Sequence, residues 1–378
     1  AQTGQSILRS EDVALLRGEA QFTADLRDSA LDGAAFVAFV RSPLARGIVR
    51  AIDTREAENA PGVVGTISGN DLDALAPYAL PFGDELAQPV LAGSDVRFAG
   101  QVVAAVVAET EAQAVDAAEL VVLDIEPSEP VLDIDHALDV AVVDATRFSS
   151  ADSSPASETA GPSAFEEADV VVSITQWSPR QLPAPIEGRA LAAAPVDGRL
   201  LIWSAVQTPH AFKGNVAKLL DLAPASIRVV APAVGGGFGG KVGRTAEEYL
   251  VPLLAHRLSR PVRWNETRSE YFATATQGRG ERIELTLAGS ADGRLTALRA
   301  NLVKDGGAFP LVGVVLPEGY TAKIANGCYD IEHVEFSSVA VLTNRPPTSA
   351  YRGAGRSPYI AALERAIDRF ADEVGLDP

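Results

Sequence analysis

The chain carries one cysteine, four histidines and no methionine among its 378 residues. A lone Cys328 excludes an intrachain disulfide and any cysteine-based zinc or iron–sulfur site built from this chain alone. The histidines, His136, His210, His256 and His333, lack the spacing of a metal-ligand set; a metal held directly by side chains is not expected, and His210 and His256 read as structural. Methionine is missing throughout, yet no motif below is interrupted by its absence. Basic clusters are lacking too. Against 50 Asp and Glu stand 32 Lys and Arg, a net charge of −18 that repels nucleic-acid backbones and anionic membranes. No run approaches the ~20 apolar residues of a membrane span. The opening AQTGQSILRSED lacks the basic-then-apolar order of an export signal, which makes the cytoplasm the expected location. What is present is ordinary for a soluble globular protein: 47% apolar, 22% charged, and length enough for two or three domains with cores of their own.

One stretch is not ordinary. In RVVAPAVGGGFGGK, Arg228 to Lys241, five of the six residues 235–240 are glycine. That density costs backbone entropy a plain connection does not require, so the loop reads as one whose amides approach an anion, a bulky cofactor or another backbone. Two generic motifs overlay it poorly. Gly235, Gly240 and Lys241 satisfy G-x-x-x-x-G-K, but Val242 stands where a phosphate-binding loop needs Ser or Thr for Mg²⁺. Gly235, Gly237 and Gly240 satisfy G-x-G-x-x-G, but a dinucleotide fold opens its helix at once. Here Val242, Gly243 and Arg244 precede a Thr245-x-x-Glu248 capping box. A bare glycine-rich hairpin or strand crossing is the remaining alternative.

Along the chain, residues 1–22 read as an arm. Strand-like AAFVAFVRS (34–42) and GVVGTIS (62–68), an apolar run at 96–109, helical AQAVDAAELV (112–121) and strand-like VVLDIEP then alternate as β and α over one domain's length. FSSADSSPASETAGPS (148–163) has a linker's composition. Beyond it come strands at 170–177 and 200–210, a helix AFKGNVAKLLDL, the glycine loop, a helix at 247–257 with Pro252 as a possible kink, and strands PVRWNET, RIELTLAGS and LTALRANLVKDGGAF. The last helix is the clearest. Ser357 reads as its N-cap, Pro358 as its first position, Leu363, Ile367, Phe370 and Val374 as its core face and Gly375 as its stop.

Three elements then stand in one order: Gln207-Thr208-Pro209-His210, VGGGFGGK (234–241) and AYRGAGR (350–356), preceded by FVRSP (39–43). Jointly they resemble the molybdopterin-binding large subunit of the molybdenum hydroxylases, the family of xanthine dehydrogenase, aldehyde oxidase and aerobic carbon monoxide dehydrogenase. The resemblance covers the whole chain and implies a mixed α/β (α+β) fold. Its expected parts are an arm at 1–22, an α/β hammerhead domain at 23–135, a linker at 136–164 and the first molybdenum-cofactor domain at 165–378. It implies that Gln207 offers its amide to the oxo group of molybdenum. Phe238, with Gly236, Gly237 and Gly239, would lie against the metal site and the pterin. Arg352, with Gly353 and Ala354, would orient the anionic cofactor. Lys241 reads as a surface charge.

Departures narrow the expectation. The arginine loop has no cysteine, so copper-dependent oxidation of carbon monoxide is not implied. Purine-oxidising members carry an acidic residue after the loop lysine and an arginine near position 320; Val242 and Tyr320 stand there instead, pointing to a substrate pocket of another kind. The expected function is a component of a molybdenum hydroxylase that oxidises an aldehyde or N-heterocycle carbon with oxygen from water. Its cofactor would be molybdopterin in the cytosine dinucleotide form, with FeS and FAD on partner subunits. The general-base glutamate would lie on a C-terminal cofactor domain beyond this chain, so that the chain is a fragment or one half of a split subunit. A non-catalytic scaffold homologue, and a phosphate- or nucleotide-binding enzyme using Lys241, are the alternatives.

Overall fold

The computed structural model describes residues 3–72, 86–149, 164–242 and 245–378. The first part of the chain forms α1 (Asp12–Leu16), β1 (Ala35–Arg41), β2 (Gly47–Asp53), α2 (Arg55–Glu58), β3 (Val63–Ser68), β4 (Asp95–Val96) and β5 (Val102–Ala108). Next come α3 (Glu111–Ala118), β6 (Val122–Pro127), α4 (Ile134–Val140) and β7 (Val142–Ser149). The second part forms β8 (Val170–Ser178), β9 (Ala190–Val196), β10 (Arg199–Ser204), α5 (Pro209–Leu219), β11 (Ile227–Val230), α6 (Ala246–Leu258), β12 (Val262–Asn265) and α7 (Arg268–Thr274). It ends with β13 (Glu281–Gly289), β14 (Leu295–Asp305), α8 (Val312–Leu316), β15 (His333–Val341) and α9 (Ser357–Val374).

Among the described residues three sheets form, and the largest crosses the expected domain boundary. Its order is β11-β10-β9-β12-β1-β5-β3, so strands from both parts of the chain share one sheet. The seam is the parallel pairing of β1 with β12, Ala35 opposite Val262 and Phe36 opposite Arg263. Strand β5, VVAAVVA, is buried at every position, as a central strand covered on both faces requires. One core then runs across the seam, joining Val37, Phe39 and Val107 to Leu191, Ile202, Leu250 and Trp264. Five strands, β7-β15-β14-β13-β8, make a second sheet, and β4-β2-β6 a third. Tyr359, Leu363 and Phe370 of α9 pack on Ile283, Leu285 and Leu287 of β13.

Several boundaries differ from the sequence reading. The stretch expected as linker, 136–164, contains most of α4 and all of β7; β7 pairs with β15, a partner almost two hundred residues away. Residues 150–163, where the linker composition is strongest, lie outside the described residues. The arm does not stand apart: Phe22 bridges Ala233, and Ala233 donates its N–H to the Gln21 carbonyl. The cap of α9 falls on Arg356, with Ser357 already helical, while Gly375 closes the helix in the left-handed conformation. Helix α6 continues through Pro252. His210 and His256 both lie on the surface.

Arg41 of FVRSP gives that motif a physical role. Its guanidinium crosses the seam, donating to Glu247 at 2.7 Å and to Glu270 at 2.9 Å. Arg189 completes the cluster from the other side, contacting Glu247 at 3.1 Å and Glu266 at 2.5 Å. Burial alone would push the Glu247 carboxyl up, but Arg189 and Arg41 outweigh it and hold it at about 2, below the ordinary 4.5. A depressed carboxylate contributes stability that is complete above its unfolded value and is lost as pH falls through the folded one. The unfolding free energy is therefore expected to drop by about 3 kcal/mol between roughly pH 4.5 and 2 through this group. Glu248 beside it is pushed up by burial, against the pull of Arg189 and its bonds to Thr245, and opposes that trend. Denaturant titrations of wild type and Glu247→Gln isolate the contribution: the drop shrinks in the variant, and an equal drop in both would place the acid sensitivity elsewhere.

Candidate functional site

Parallel neighbours leave a sheet at the same edge, and β10 and β11 are parallel, with Leu200 opposite Ile227 and Trp203 opposite Val230. The chain after β10 therefore emerges as Gln207 beside the glycine loop that follows β11. Gln207 fastens the two. Its N–H donates to the Lys241 carbonyl at 2.6 Å, and its side-chain Oε1 accepts from the Gly239 and Lys241 amides at 2.9 and 3.2 Å. Two amide donors on one oxygen fix which end of the side chain is which, leaving Nε2 exposed and without a partner among the described residues. Thr208 adds a bond from Oγ1 to the Val242 carbonyl at 2.8 Å, which places Val242 at the rim of the same corner.

The glycines are demanded by contact. A Cβ on Gly237 would lie 2.5 Å from Gln207 Oε1. On Gly239, whose φ is +99°, it would lie 2.6 Å from the Ala350 carbonyl oxygen. Phe238 between them also has a positive φ, +51°, costly for a residue with a side chain, and the residue is 43% exposed. What holds it there is the arginine loop: Arg352 N–H donates to the Phe238 carbonyl at 2.9 Å. Gly239→Ala is expected to cost about 2–3 kcal/mol, from the left-handed backbone and the collision with Ala350 together. Thermal or urea unfolding checks this, and a loss below about 0.5 kcal/mol would show that the two loops separate freely.

The arginine loop is positioned from below. Arg279 donates to the carbonyls of Tyr351 and Arg352 at 3.2 and 2.8 Å and stacks on the Tyr351 ring. Gln277 and Ser349 extend the contact through an N–H to carbonyl bond of 2.8 Å. Gly353 faces the Ser357 hydroxyl at the start of α9, and Ala354 is half-buried beside it. Tyr320 stands in a π-helical turn, Pro317–Thr321, beside Gly355, and is 60% exposed. The Arg352 guanidinium is exposed and has no partner among the described residues. The three corners, 145 residues apart at their extremes, thus meet through hydrogen bonds of the backbone and of Gln207 Oε1, and Gly236, Gly237, Val242 and Tyr320 lie at or beside them.

Lys241 corrects the expectation most sharply. It is not a surface charge: its side chain is 0% exposed and its ammonium lies 2.7 Å from Glu187 Oε2. An ammonium turned inward onto a carboxylate is not available to reach a phosphate, which removes the physical basis of the nucleotide-loop alternative. Glu187 and Arg279 were not legible as site residues. Nothing near Glu187 in QLPAPIEG marks it, since its partner is 54 positions away. Arg279 acts through carbonyls, which any loop possesses.

A surface lined by glycine, with one free amide donor and one free guanidinium, suits a large anionic ligand held by backbone contacts. The comparisons with known proteins agree. A molybdopterin cofactor-binding domain matches residues 155–378, and the a/b hammerhead domain of aldehyde oxidase and xanthine dehydrogenase matches residues 17–129. The large subunit of nicotine 6-hydroxylase from Paenarthrobacter nicotinovorans is 32% identical over 99% of this chain and 47% of its own length. The carbon monoxide dehydrogenase large chain of Hydrogenophaga pseudoflava is 31% identical over 97% of this chain and 48% of its own. Quinoline 2-oxidoreductase from Pseudomonas putida 86 superposes with a TM-score of 0.91 at 34% identity, covering 100% of this chain and 49% of that one. The chain belongs to the molybdopterin-binding large subunits of the molybdenum hydroxylases, and it spans about half the length of the relatives it matches.

Proposed function

We propose that this chain supplies the first half of the cofactor cradle in a molybdenum-dependent hydroxylase that oxidises an aldehyde or N-heterocycle carbon with water as the oxygen source. The observation that carries the reading is the convergence of Gln207, Phe238 and Arg352, with Gln207 Nε2 and the Arg352 guanidinium without a partner among the described residues. Gln207 would present an uncharged donor, with no proton to lose, where an oxo ligand sits; its Oε1 is already committed to Gly239 and Lys241. Arg352 would orient the anionic pterin with a planar fork of donors. Phe238 and Tyr320 would wall the approach of an apolar ring, and Val242 would leave that wall uncharged. When bound, molybdopterin, in the cytosine dinucleotide form on this reading, supplies the two-electron redox chemistry and activation of a water-derived oxygen.

A general-base glutamate belongs to a second cofactor domain, and electrons leave through FeS and FAD partner subunits. Val242 and Tyr320, with nicotine 6-hydroxylase and quinoline 2-oxidoreductase among the relatives, support a pyridine-type ring over a purine, although relatives named for xanthine and hypoxanthine are found too. The test is co-purification with the proteins encoded beside it, molybdenum and nucleotide analysis, and turnover of quinoline-type and aldehyde substrates in ¹⁸O-labelled water. Stoichiometric molybdenum with label in the product supports the reading. A complete assembly lacking the metal favours the scaffold alternative, and preferential purine turnover overturns the substrate assignment.

A further inference from the structure

We propose that Glu187 and Lys241 form a positioning pair that sets the conformation of the glycine loop and, through it, the orientation of the Gln207 amide. One carboxylate oxygen holds both ends of the loop. Glu187 Oε2 accepts from the Gly235 amide at 2.7 Å and from Lys241 Nζ at 2.7 Å, so residues 235–241 are closed from beneath by a single atom. Lys241 in turn brackets Gln207 through its backbone, its carbonyl taking the Gln207 N–H at 2.6 Å and its amide reaching Gln207 Oε1 at 3.2 Å. Anything that moves Lys241 therefore moves both bonds that orient Gln207.

Among the described residues the pair's own contact is single: Glu187 Oε1 is buried and makes no hydrogen bond, and Lys241 has no second acidic partner within ion-pair distance. The loop itself offers little stiffness, being glycine at five of positions 235–240. Burial pushes the Lys241 ammonium down while Glu187 opposes it, in keeping with a cation retained for its bond. Packing reinforces the geometry: a Cβ on Gly235 would lie 2.6 Å from Glu187 Cβ, and Pro183 and Pro185 stand under Gly240 and Gly236. The loop rests on the 183–187 segment, which moves with Glu187. Only the consequence for turnover depends on the proposed function; the control of Gln207 by the pair does not.

The experiment uses the purified assembly that contains this chain. Residue-resolved amide hydrogen exchange is measured at Gly239 and Lys241, the two donors to Gln207 Oε1, in wild type, Glu187→Gln, the double variant Glu187→Gln with Lys241→Met, and Asp53→Asn as a surface ion-pair control. Both site variants should exchange these amides about ten- to a hundredfold faster, with β5 and α9 protected as in wild type. Turnover should lose about tenfold or more in kcat with KM within about twofold, as expected of a misaligned group. The double variant leaves no unpaired buried charge, so it keeps the test decisive if Glu187→Gln alone does not fold. Wild-type exchange at Gly239 and at the amide of position 241 in the double variant, corrected for the intrinsic rate of the substituted residue, would overturn the proposal, because the pair would then supply only charge balance. Acceleration spread equally over β5 and α9 would overturn it too. If the wild-type assembly holds no molybdenum, the functional reading falls while the exchange comparison still decides the positioning claim.

Discussion

Replacing Arg189 by methionine is expected to lower the unfolding free energy by about 3–5 kcal/mol, the cost of stranding buried charge. Methionine keeps the length and volume of the stem and removes the guanidinium. That group is 2% exposed and donates to Glu247, to Glu266 and, at 3.0 Å, to the Thr274 hydroxyl, with its carbon 5.3 Å from the centre of the Trp264 ring. Glu266 is 0% exposed and loses its only ion-pair partner among the described residues, whereas Glu247 retains Arg41. Arg41→Met is accordingly expected to cost less, since Arg41 and its second partner Glu270 reach solvent. Urea unfolding with unchanged m-values measures both. A loss below about 1 kcal/mol for Arg189→Met would mean that the carboxylates find water or protons, and that the cluster does not lock the seam between β1 and β12.

How much of this could be read beforehand depended on whether the signal was local. Helix α9 was legible from its apolar spacing and Gly375, and β13 with β14 from their alternation, because each carries its own period. The three corners of the candidate site could be singled out because Gln207, Phe238 and Arg352 lie in short runs of unusual composition, and the structure brings those runs together. The union of β1, β5 and β3 with β9, β10 and β12 in one sheet was not. Strand pairing leaves no trace in either strand's composition beyond burial, and β5 reads the same whichever neighbour covers it. Charge was the least legible property. A lysine after glycines looks like a surface residue, and only the fold shows that Glu187 has been carried beneath it. The same holds for Arg41, whose motif was recognisable while its partners, more than two hundred residues on, were not.

Asp305→Ala is expected to cost a similar 3–5 kcal/mol and, unlike Arg189→Met, to disturb the arginine loop directly. Asp305 ends β14, is 2% exposed on its side chain, and spends both carboxylate oxygens on the turn toward that loop. Oδ1 accepts from the Gly307 amide at 2.9 Å and the Thr343 hydroxyl at 2.7 Å, and Oδ2 from Arg180 at 3.1 Å. Arg180 also donates to the Pro346 carbonyl, three positions before Ser349 pairs with Gln277. Removing the carboxylate strands a guanidinium that burial already disfavours and releases the 343–346 segment that leads into AYRG. Asp305→Asn separates the two effects. It can still accept from Gly307 and Thr343 while losing the charge, so its stability should fall between wild type and Asp305→Ala. If the loop is held as these bonds imply, Asp305→Ala also frees the Arg352 amide from the Phe238 carbonyl, and exchange at Arg352 rises further than exchange at β5. Equal protection at Arg352 in all three proteins would show that Arg279 and the start of α9 suffice to place the arginine, with Asp305 serving stability alone.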